Sequence, residues 1–329
     1  MLRMDKKIIV HMIKGYVKSS ALFFRLYKKM LMCSFYIKKN KNEKEILFNY
    51  RKEDEKDLIV RNGENGKEKK IPKIIWMYWH SKNVPSYILA MINKIKVLNK
   101  SHEVFLLHQD TLGSYLPDFI VSEDLPFAIQ ADLIRLALLK EYGGIYIDVS
   151  TIVYESFDWV HNKAEYDLIA YYRYKETLDN PIPLIENWFL CAPKGSKLIQ
   201  EWLDILEPIN KLGIYKFYLR NKSRVDYSLL IENINNPIYF AAYISERIAL
   251  KNLAYKVNLF LKRSDVNAWL YQDNVNWKVL SLADTFMNKN KPKKLPPLIK
   301  LSSNDRLLID EFMQRKIVNK NSILGEFLE

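Results

Sequence analysis

The spacing of apolar positions changes near residue 71. From there, short continuous apolar runs alternate with longer stretches in which apolar residues recur every three or four positions. The continuous runs predict strands over residues 73–79, 103–108, 145–149, 167–172 and 188–192. The periodic stretches predict helices over residues 85–98, 128–142 and 196–206. This alternation predicts an α/β fold with a mostly parallel sheet and helices on both of its faces.

Residues 5–37 have the periodicity of one amphipathic helix that precedes this domain. At about 100° per residue, one side carries the apolar residues Ile9, Met12, Tyr16, Phe23, Tyr27 and Met30. The opposite side carries the basic residues Lys7, Lys14, Lys18, Arg25 and Lys29. This pattern is typical of a helix in a membrane interface, but a helix that docks its apolar face on the rest of the protein has the same pattern.

The net charge of +13 indicates an anionic partner, such as a nucleic acid, a lipid headgroup or a phosphorylated ligand. Residues 1–44 contain twelve Lys or Arg residues against Asp5 and Glu43, so they carry +10 of the excess. Because the apolar face of such a helix has no use on a duplex, we expect a membrane surface and no nucleic acid. The domain prediction is a membrane-interface helix over residues 1–44, a charged linker over residues 45–70 and one domain over residues 71–329.

The cysteines and the short apolar runs indicate the compartment. Cys33 and Cys191 are far apart and have no neighbours with metal-ligand spacing, which favours a reducing environment over a disulfide scaffold. The first apolar run, residues 8–13, is too short for a signal peptide. The uncharged run over residues 30–37 is far below the roughly 20 residues of a membrane-spanning helix. We therefore expect a cytoplasmic protein that is peripheral on the inner face of the membrane.

The predicted helix over residues 128–142 carries one acid and one base on an otherwise apolar surface. Asp132 and Arg135 are three residues apart and so share a face, and a helix that is apolar all round is buried. Burial of such a pair costs several kcal/mol per ion before compensation. The pair is either a structural salt bridge or a polar face in a cleft, where Asp132 accepts sugar hydroxyls and Arg135 donates to hydroxyl or phosphate oxygens.

The residues that follow this helix favour the cleft. Gly143 stands where a helix end adopts a left-handed conformation, and the strand after it ends at Asp148. Ligands bind at the carboxyl ends of strands in open α/β sheets. A carboxylate there can hold a divalent cation that bridges a nucleotide diphosphate, or it can accept hydrogen bonds from a sugar. A solvated aspartate at a turn is the alternative for Asp148 taken alone.

Several motifs between residues 71 and 303 occur together. The densest part reads Ala131-Asp132-Leu133-Ile134-Arg135, Leu138-Leu139 and Tyr142-Gly143-Gly144-Ile145-Tyr146-Ile147-Asp148. The others are Ile71–Trp79, Asn187–Leu190 and Lys300–Ser302. Together they resemble the DXD-containing sugar transferases, which include bacterial capsular polysaccharide synthesis proteins, fungal outer-chain mannosyltransferases and the catalytic domains of the large clostridial glucosylating toxins. The combined motif is specific, although each piece alone is weak.

The resemblance implies a GT-A-type, Rossmann-like sheet and an enzyme of the hexosyltransferase type. Such a glycosyltransferase moves a sugar from a nucleotide-sugar donor to a polysaccharide or lipid-linked oligosaccharide acceptor, usually with retention at the anomeric carbon. The implied process is synthesis of a bacterial capsule or another surface polysaccharide. The alternative is a degenerate, non-catalytic protein that still binds a sugar or a nucleotide.

The resemblance also implies roles for single residues. Trp76 and Trp79 pack near the nucleotide base, and Asp132 and Arg135 hold the donor sugar. Asp148 is the first carboxylate of the DXD element. Further residues that it implies are Lys300 and Ser302 on the donor side, and Asp226 and Tyr227 on the acceptor side. His80, just after the first strand, is expected to be a cap or surface residue rather than a catalyst.

The DXD element of this chain lacks its second carboxylate. It reads Asp148-Val149-Ser150, and Ile299 stands where the late motif often has a histidine. One carboxylate with the hydroxyl of Ser150 is a poor Mg²⁺ or Mn²⁺ site, although water and substrate phosphates can complete the shell. Lys300 can neutralise the diphosphate in place of a metal ligand, or it is a plain surface lysine.

Overall fold

The computed structural model describes residues 21–39, 48–63 and 69–328, which belong to two compact units. The sheet unit contains Tyr50–Trp269 and Pro296–Lys300. The terminal unit contains the described residues up to Asn49, Leu270–Leu295 and residues 301–328. The prediction of one domain over residues 71–329 missed this division, because hydrophobic periodicity identifies elements but not the elements against which they pack.

Seven strands form the main sheet of the sheet unit and two more form a small separate sheet. The strands are β1 Leu58–Arg61, β2 Ile74–Tyr78, β3 Glu103–Leu107, β4 Gly144–Ile147, β5 Thr151–Val153, β6 Leu168–Tyr172, β7 Ile185–Ala192, β8 Asn258–Arg263 and β9 Leu298–Lys300. The main sheet has the order β1-β8-β6-β7-β4-β2-β3, and β5 pairs with β9. β2 is parallel to β3 and β4, and β6 is parallel to β8, whereas β1 and β7 are antiparallel to their neighbours. The predicted mostly parallel α/β sheet is confirmed.

The helices are α1 Ala21–Lys39, α2 Ser86–Leu98, α3 Gln109–Leu112, α4 Phe127–Tyr142, α5 Tyr174–Thr177, α6 Lys197–Leu206, α7 Ile209–Lys222, α8 Tyr227–Leu230, α9 Ala241–Asn252, α10 Leu270–Asn274, α11 Val279–Ala283 and α12 Ile309–Gln314. In the sheet unit, α4 packs against β2, β4 and α6, and α6 packs against α9. Ser196 caps α6 by accepting a hydrogen bond from the backbone N–H of Ile199. The central strands β4, β6 and β7 are buried along their whole length, as strands covered on both faces must be.

Strand β1 corrects the prediction of a linker over residues 45–70. It pairs antiparallel with β8, with Leu58 opposite Leu261 and Arg61 opposite Asn258. As an edge strand it alternates half-buried and exposed positions, and four residues between charged stretches are too short for a clear periodic signal. Residues 45–47 and 64–68 of the predicted linker lie outside the described residues.

Helix α1 has two apolar faces. Met32 and Phe35 are buried within the terminal unit, and the Phe35 ring lies 5.0 Å from the ring of Phe312. The other face is exposed and carries Leu22, Phe23, Leu26, Met30 and Ile37. The predicted apolar side, represented by Phe23 and Met30 at 59% exposure each, is therefore not the side that docks. Residues 5–20 of the predicted helix lie outside the described residues.

Candidate functional site

Helix α4 ends at a glycine pair that fixes where β4 begins. Gly143 has φ +68°, and its N–H donates to the carbonyl of Leu139 at 2.9 Å, which confirms the predicted left-handed helix end. A Cβ at Gly143 would overlap the backbone nitrogen of Lys194. A Cβ at Gly144, where φ is +101°, would lie 2.7 Å from the carbonyl oxygen of Ile74. Both positions therefore need glycine for conformation and for close approach of the backbone.

Asp148 follows β4 directly and so lies at the carboxyl end of that strand, as predicted. Its backbone N–H donates to the carbonyl oxygen of Trp188 in β7 at 2.9 Å. This bond continues the antiparallel pairing of β4 with β7, in which Ile147 lies opposite Phe189. The position of Asp148 is thus fixed by the sheet rather than by a free loop.

Arg135 joins the acidic residues into one cluster. Its Nη2 lies 3.2 Å from Oδ1 of Asp148 and 3.4 Å from Oδ1 of Asp132. Its Nη1 donates to the main-chain carbonyl of Asn187 at 2.6 Å, and its guanidinium lies 4.9 Å from the centre of the Tyr146 ring. Burial alone lowers the pKa of the guanidinium, but the charges around it, that of Asp148 first, outweigh burial and raise that pKa. Arg135 is therefore a fixed cation on the buried face of α4.

Asp132 is the group in this cluster that titrates near neutral pH. Burial raises its pKa to about 7, against the opposing effect of Arg135. The charge of Asp148 raises that pKa further, whereas the side-chain amide of Asn187, which donates to Oδ1 of Asp132 at 2.9 Å, lowers it. A carboxyl group in this state can accept a hydrogen bond from a sugar hydroxyl or, when protonated, donate one.

The second carboxylate, Asp148, has a cation at each oxygen. Oδ1 faces Arg135, and Oδ2 lies 2.9 Å from Nζ of Lys300. The Lys300 ammonium also donates to the hydroxyl of Ser150 at 2.7 Å. Two acids and two bases, Asp132, Asp148, Arg135 and Lys300, thus form what we name the charge cluster, whose formal charges balance.

An irregularity in β7 brings Asn187 to this cluster. Along β6, Ala170 pairs with Leu190 but the next residue, Tyr171, pairs with Glu186, so residues 187–189 have no partner on that side. Bulges of this kind bend a strand and redirect a side chain, and they are common beside active sites. Here the redirected residue donates to Asp132 and accepts from Arg135.

A second polar group was not predicted from the sequence. Glu186 is buried, and its carboxylate accepts hydrogen bonds from Nε1 of Trp269 at 2.7 Å and from the hydroxyl of Tyr243 at 3.0 Å. The same hydroxyl lies 3.4 Å from Oδ1 of Asn187, which links Glu186 to the charge cluster. The available signal was one charged residue inside the apolar run Ile185–Ala192.

Tyr239 lies within electrostatic range of the two acids. Partial burial raises the pKa of its hydroxyl, and the carboxylates of Asp132 and Asp148 raise it further. The Tyr239 hydroxyl, just before α9, is therefore close enough to both carboxylates for their charges to affect it. Periodicity gave no signal for this residue, because it lies in a turn.

Comparison with known families decides where this chain belongs. Residues 26–279, well over half of the chain, match the family model of the capsular polysaccharide synthesis protein. The chain belongs to the capsular polysaccharide synthesis protein family. Three residues of the charge cluster, Asp132, Arg135 and Asp148, lie inside the matched region.

Curated relatives match shorter parts of this chain. The O-glycosyltransferase braB of Annulohypoxylon truncatum is 28% identical over 160 residues, which is 42% of this chain and 37% of that protein. The inositol phosphoceramide mannosyltransferase 1 of Schizosaccharomyces pombe is 24% identical over 147 residues, 41% of this chain and 43% of that protein. The chain thus spans less than half the length of each of these two relatives.

Two solved structures of glycosyltransferases also align with this chain. The PaToxG glycosyltransferase aligns with a TM-score of 0.33 and 17% identity, over 56% of this chain and 79% of its own. The apo form of the glycosyltransferase GlyE of Streptococcus pneumoniae aligns with a TM-score of 0.36 and 12% identity, over 77% of this chain and 66% of its own.

The structure corrects the position predicted for Trp76. This tryptophan lies within β2 rather than at its end, and it is 2% exposed. Its Nε1 donates to the carbonyl of Gly143 at 2.9 Å, and its ring stacks on Phe105 with centroids 4.9 Å apart. A ring enclosed in this way has no open face for a nucleotide base, so Trp76 is a core residue of the sheet unit.

Trp79 is the aromatic residue that reaches the carboxyl end of β2. It is half-buried, and its ring lies 5.2 Å from that of His80. His80 in turn stacks on Phe127, the first residue of α4, with centroids 4.1 Å apart and an interplanar angle of 15°. These two rings line a 310 Å³ depression with His108. His80 is thus a surface residue of this depression, and its pKa is lowered by burial.

The predicted acceptor residues have their own partners. Asp226 pairs with Nε of Arg224 at 2.9 Å and with Nζ of Lys251 at 2.5 Å. These contacts lower the pKa of Asp226 to about 2, the hydrogen bond from Arg224 having the largest effect. The ring of Tyr227 lies 6.4 Å from that of Tyr218. An acceptor role for Asp226 and Tyr227 stays a prediction.

Ser302 lies in the terminal unit, whereas the charge cluster lies in the sheet unit. Its backbone N–H donates to Oδ2 of Asp305 at 2.6 Å, and its hydroxyl accepts from the backbone N–H of Asp305 at 3.3 Å. These reciprocal bonds describe a capped turn. A donor-binding role for Ser302 stays a prediction.

The residues around Asp148 do not suit a divalent cation. Within residues 21–39, 48–63 and 69–328, no group of three His, Cys, Asp or Glu residues is arranged to hold a metal ion. The oxygen donors proposed for it, Asp148 and Ser150, both bond to the Lys300 ammonium. Mg²⁺ or Mn²⁺ at this position stays a prediction that these contacts do not favour.

Proposed function

We propose that this protein is a glycosyltransferase that moves a hexose from a nucleotide-sugar donor to a saccharide or lipid-linked acceptor. The observation that carries the proposal is the buried charge cluster at the carboxyl end of β4, where Arg135 contacts both Asp132 and Asp148. Buried ions are costly, and a structural salt bridge needs only one acid. The names of the relatives, an O-glycosyltransferase and a mannosyltransferase, support the same reaction class.

In this proposal Asp132 and Arg135 bind the hydroxyl groups of the donor sugar. Arg135 offers a rigid guanidinium, and Asp132 offers a carboxyl group whose pKa is about 7. Sugar hydroxyls both donate and accept hydrogen bonds, so a fixed donor beside a carboxyl group suits them. Asp148, at the carboxyl end of β4, is proposed to lie on the side of the site that binds the donor diphosphate. Its carboxylate holds Arg135 and Lys300 in place.

The transfer exchanges one bond at the anomeric carbon for another. The bond between that carbon and the diphosphate oxygen breaks, and its electron pair goes to the nucleoside diphosphate. The acceptor hydroxyl oxygen forms the new bond and gives its proton to water. We propose retention at the anomeric carbon, which the resemblance to DXD-containing transferases supports. The anomeric coupling constant of the purified product, measured by NMR, tests it.

For the base of the donor, the described surface offers Trp79 and the depression lined by His80 and Phe127. The rings of His80 and Phe127 stack on one another and line this depression at the carboxyl ends of β2 and β3. A base that stacks on the outer face of this ring pair gains about 1–3 kcal/mol. This placement supports the donor-binding prediction for Trp79 in place of the enclosed Trp76.

The acceptor is proposed to be borne by an anionic membrane, as in synthesis of a capsule or another surface polysaccharide on the inner face of a bacterial membrane. Five of the exposed apolar residues of α1, Leu22, Phe23, Leu26, Met30 and Ile37, lie within an arc of about 100° at 100° per residue. Arg25 and Lys29 are exposed at the edge of this arc, and residues 1–44 carry most of the excess positive charge. An apolar face edged by bases suits an anionic lipid surface. No helix within the described ranges is long and apolar enough to cross a bilayer.

The experiment that tests transfer compares two aspartate variants. Asp148→Asn keeps the size of the side chain but removes its charge, so we expect the release of nucleoside diphosphate from a panel of nucleotide sugars to fall at least about 100-fold. Asp167→Asn is the matched control, since Asp167 is also an ion-paired aspartate, with Lys69, but lies outside the charge cluster. Circular dichroism verifies that both variants fold. Unchanged turnover by folded Asp148→Asn would overturn the proposal.

A degenerate, non-catalytic binding protein is the second candidate. The observation that favours it is that both oxygens of Asp148 already bond to cations of the protein itself. Calorimetry with the same nucleotide sugars separates the two functions. Tight binding without release of diphosphate, with several saccharide acceptors present, identifies the binding protein.

A further inference from the structure

Lys300 reaches the charge cluster because of the small second sheet. Strand β9 pairs antiparallel with β5, and this register places Lys300 opposite Thr151. The backbone N–H of Lys300 also donates to the carbonyl of Ala268 at 3.0 Å. The residue next to Thr151 is Ser150, so the register sets the lysine side chain beside the incomplete DXD element. This lysine is part of a ladder and not a residue of a loose tail.

The ammonium of Lys300 bonds to the two side chains that a DXD-bound metal would use. Nζ lies 2.9 Å from Oδ2 of Asp148 and donates to Oγ of Ser150 at 2.7 Å. The lysine side chain is only 8% exposed. The Lys300 ammonium therefore lies between the carboxylate of Asp148 and the hydroxyl of Ser150, where a metal ion bound by the DXD element would be expected.

A divalent cation and this ammonium exclude one another. Mg²⁺ binds oxygen at about 2.0–2.1 Å and needs near-octahedral geometry. An ion at that distance from Oδ2 of Asp148 or Oγ of Ser150 would lie within about 5 Å of Nζ, given the oxygen–nitrogen distances of 2.9 and 2.7 Å. Like charges that close repel strongly in a buried site. The Lys300 side chain is only 8% exposed, so the protein encloses most of it beside these two oxygens.

We infer that Lys300 replaces the divalent cation, so that the capsular synthesis protein binds the diphosphate of its donor through this lysine and without a metal. The inference rests on the proposed function and names the group that neutralises the leaving diphosphate. Lysine binds phosphate as a point charge, and positive charge fixed at the leaving group stabilises the negative charge that develops there. Ser150 fits this role, because its hydroxyl accepts from the ammonium without adding a negative charge.

In this arrangement Asp148 is a positioning residue. Its Oδ1 orients Arg135 and its Oδ2 orients Lys300, so one carboxylate aligns both cations. The sugar-binding and diphosphate-binding sides of the site are thus tied together through a single side chain. The missing second aspartate is then a requirement, because a carboxylate at position 150 would compete with the diphosphate for Lys300.

The test measures diphosphate binding directly. Isothermal titration of the full chain with UDP, GDP, ADP and dTDP is run in excess EDTA and in excess MnCl₂. We expect the Kd of the preferred diphosphate to agree within about twofold between the two conditions. A Kd that is lost or weakened more than about tenfold in EDTA overturns the role of Lys300 while leaving the proposed transferase intact. Absence of binding by all four diphosphates in both conditions counts against the proposed transferase itself, and the inference fails with it.

Variants show whether the lysine is the group responsible. Lys300→Ala is expected to weaken diphosphate binding in EDTA by about 10- to 100-fold, because one charge-assisted contact is lost. Lys262→Ala is the matched control: Lys262 is also a largely buried, ion-paired lysine of the sheet unit, 2.9 Å from Glu55. Equal binding by wild type and folded Lys300→Ala in EDTA overturns the inference.

A double variant converts the site to the metal-dependent form. Ser150→Asp with Lys300→Ala removes the ammonium and restores the second carboxylate, which gives the oxygen ligands that Mn²⁺ prefers. We expect its diphosphate binding to improve at least about tenfold on addition of MnCl₂, in contrast to the wild type. If Mn²⁺ improves wild type as much as the double variant, the proposed exchange of metal for lysine is wrong.

Discussion

Nη1 of Arg135 donates a hydrogen bond of 2.6 Å to the main-chain carbonyl of Asn187, while the side-chain amide of Asn187 donates to Asp132 at 2.9 Å. One residue of a bulged strand thus holds both members of the pair on α4. The carbonyl contact survives any substitution at position 187, whereas the amide contact does not. The two contacts can therefore be separated by mutation.

Asn187→Ala is expected to raise the pKa of Asp132, because the amide that stabilises its ionised form is removed. A lost hydrogen bond to a charged group corresponds to a shift of about one pH unit. The limb of the pH profile of kcat/KM that reports Asp132 should move to higher pH by that amount. Asn180→Ala is the control, since Asn180 is an equally buried amide that bonds elsewhere, to Leu229 and Glu232. Identical profiles for both variants would contradict this role of Asn187.

Asp132 is expected to make stability depend on pH. Its pKa is about 7 in the folded chain against an ordinary value of 3.8, so unfolding releases a proton between these pH values. The contribution of Asp132 to the free energy of unfolding is therefore greatest at low pH. It decreases by about 1.4 kcal/mol per unit as the pH rises through this window, and it is constant above it. Asp132→Asn has no such ionisation, so its stability relative to wild type should increase from pH 5 to pH 7.

Urea unfolding at pH 5, 6, 7 and 8 measures this difference. Asp226→Asn serves as the control, because the pKa of Asp226 is lowered, chiefly by Arg224, to about 2. Asp226 contributes stability above its unfolded pKa and loses it only as the pH falls towards 2. The difference between Asp226→Asn and wild type should hence be constant from pH 5 to pH 8. A flat difference for Asp132→Asn as well would show that Asp132 is ionised throughout this range.

Gly143→Ala is expected to destabilise the sheet unit by more than Gly195→Ala. Both glycines have φ +68°, a backbone conformation that other residues rarely adopt, so an alanine carries a conformational cost at either position. An added methyl group meets nothing within 4 Å at Gly195, whereas at Gly143 it overlaps the backbone of Lys194. The close approach therefore adds a second cost at Gly143 alone, and we expect the two free energies of unfolding to differ by more than about 1 kcal/mol. If both variants lose the same stability, the overlap with the backbone of Lys194 adds nothing to the conformational cost of alanine, and the prediction is wrong.

The exposed face of α1 is expected to bind anionic vesicles. Phe23→Glu with Leu26→Glu places two charges on this face, so sedimentation with phosphatidylglycerol vesicles should fall at least about tenfold. Ile120→Glu, at an exposed apolar position of the sheet unit, should leave sedimentation unchanged. Binding of the wild type should weaken at high salt and with phosphatidylcholine alone. If the two substitutions leave vesicle binding unchanged, this face does not contact the membrane and has another occupant, such as a second copy of the chain.

The local part of the site could be predicted from the sequence. Asp132 and Arg135 share a face because they are three apart on a helix, and Gly143 ends that helix because only glycine adopts its conformation there without strain. Asp148 lies at the end of the next strand, which the short apolar run before it predicts. These predictions needed only periodicity and the conformational preferences of single residues.

Contacts between distant segments could not be predicted in this way. The amine of Lys300 reaches Ser150 across 150 residues, and no spacing rule connects two such positions. Asn187 acts through a bulge, which a regular strand pattern does not reveal. Trp76 was misplaced for the opposite reason: motif resemblance identifies a position but not how deeply its side chain is enclosed by neighbours.

The ladder between β5 and β9 also determines when the site becomes complete. Thr151 and Lys300 are brought together by closing a loop that contains most of the sheet unit, and closing long loops costs entropy that later contacts must repay. During synthesis, Asp148 emerges from the ribosome long before its lysine. A nascent chain that has folded β4 against α4 therefore holds Arg135 and both carboxylates, but not the cation that balances them. The charge cluster can therefore be completed only after the chain has been made as far as β9 and this strand has paired with β5.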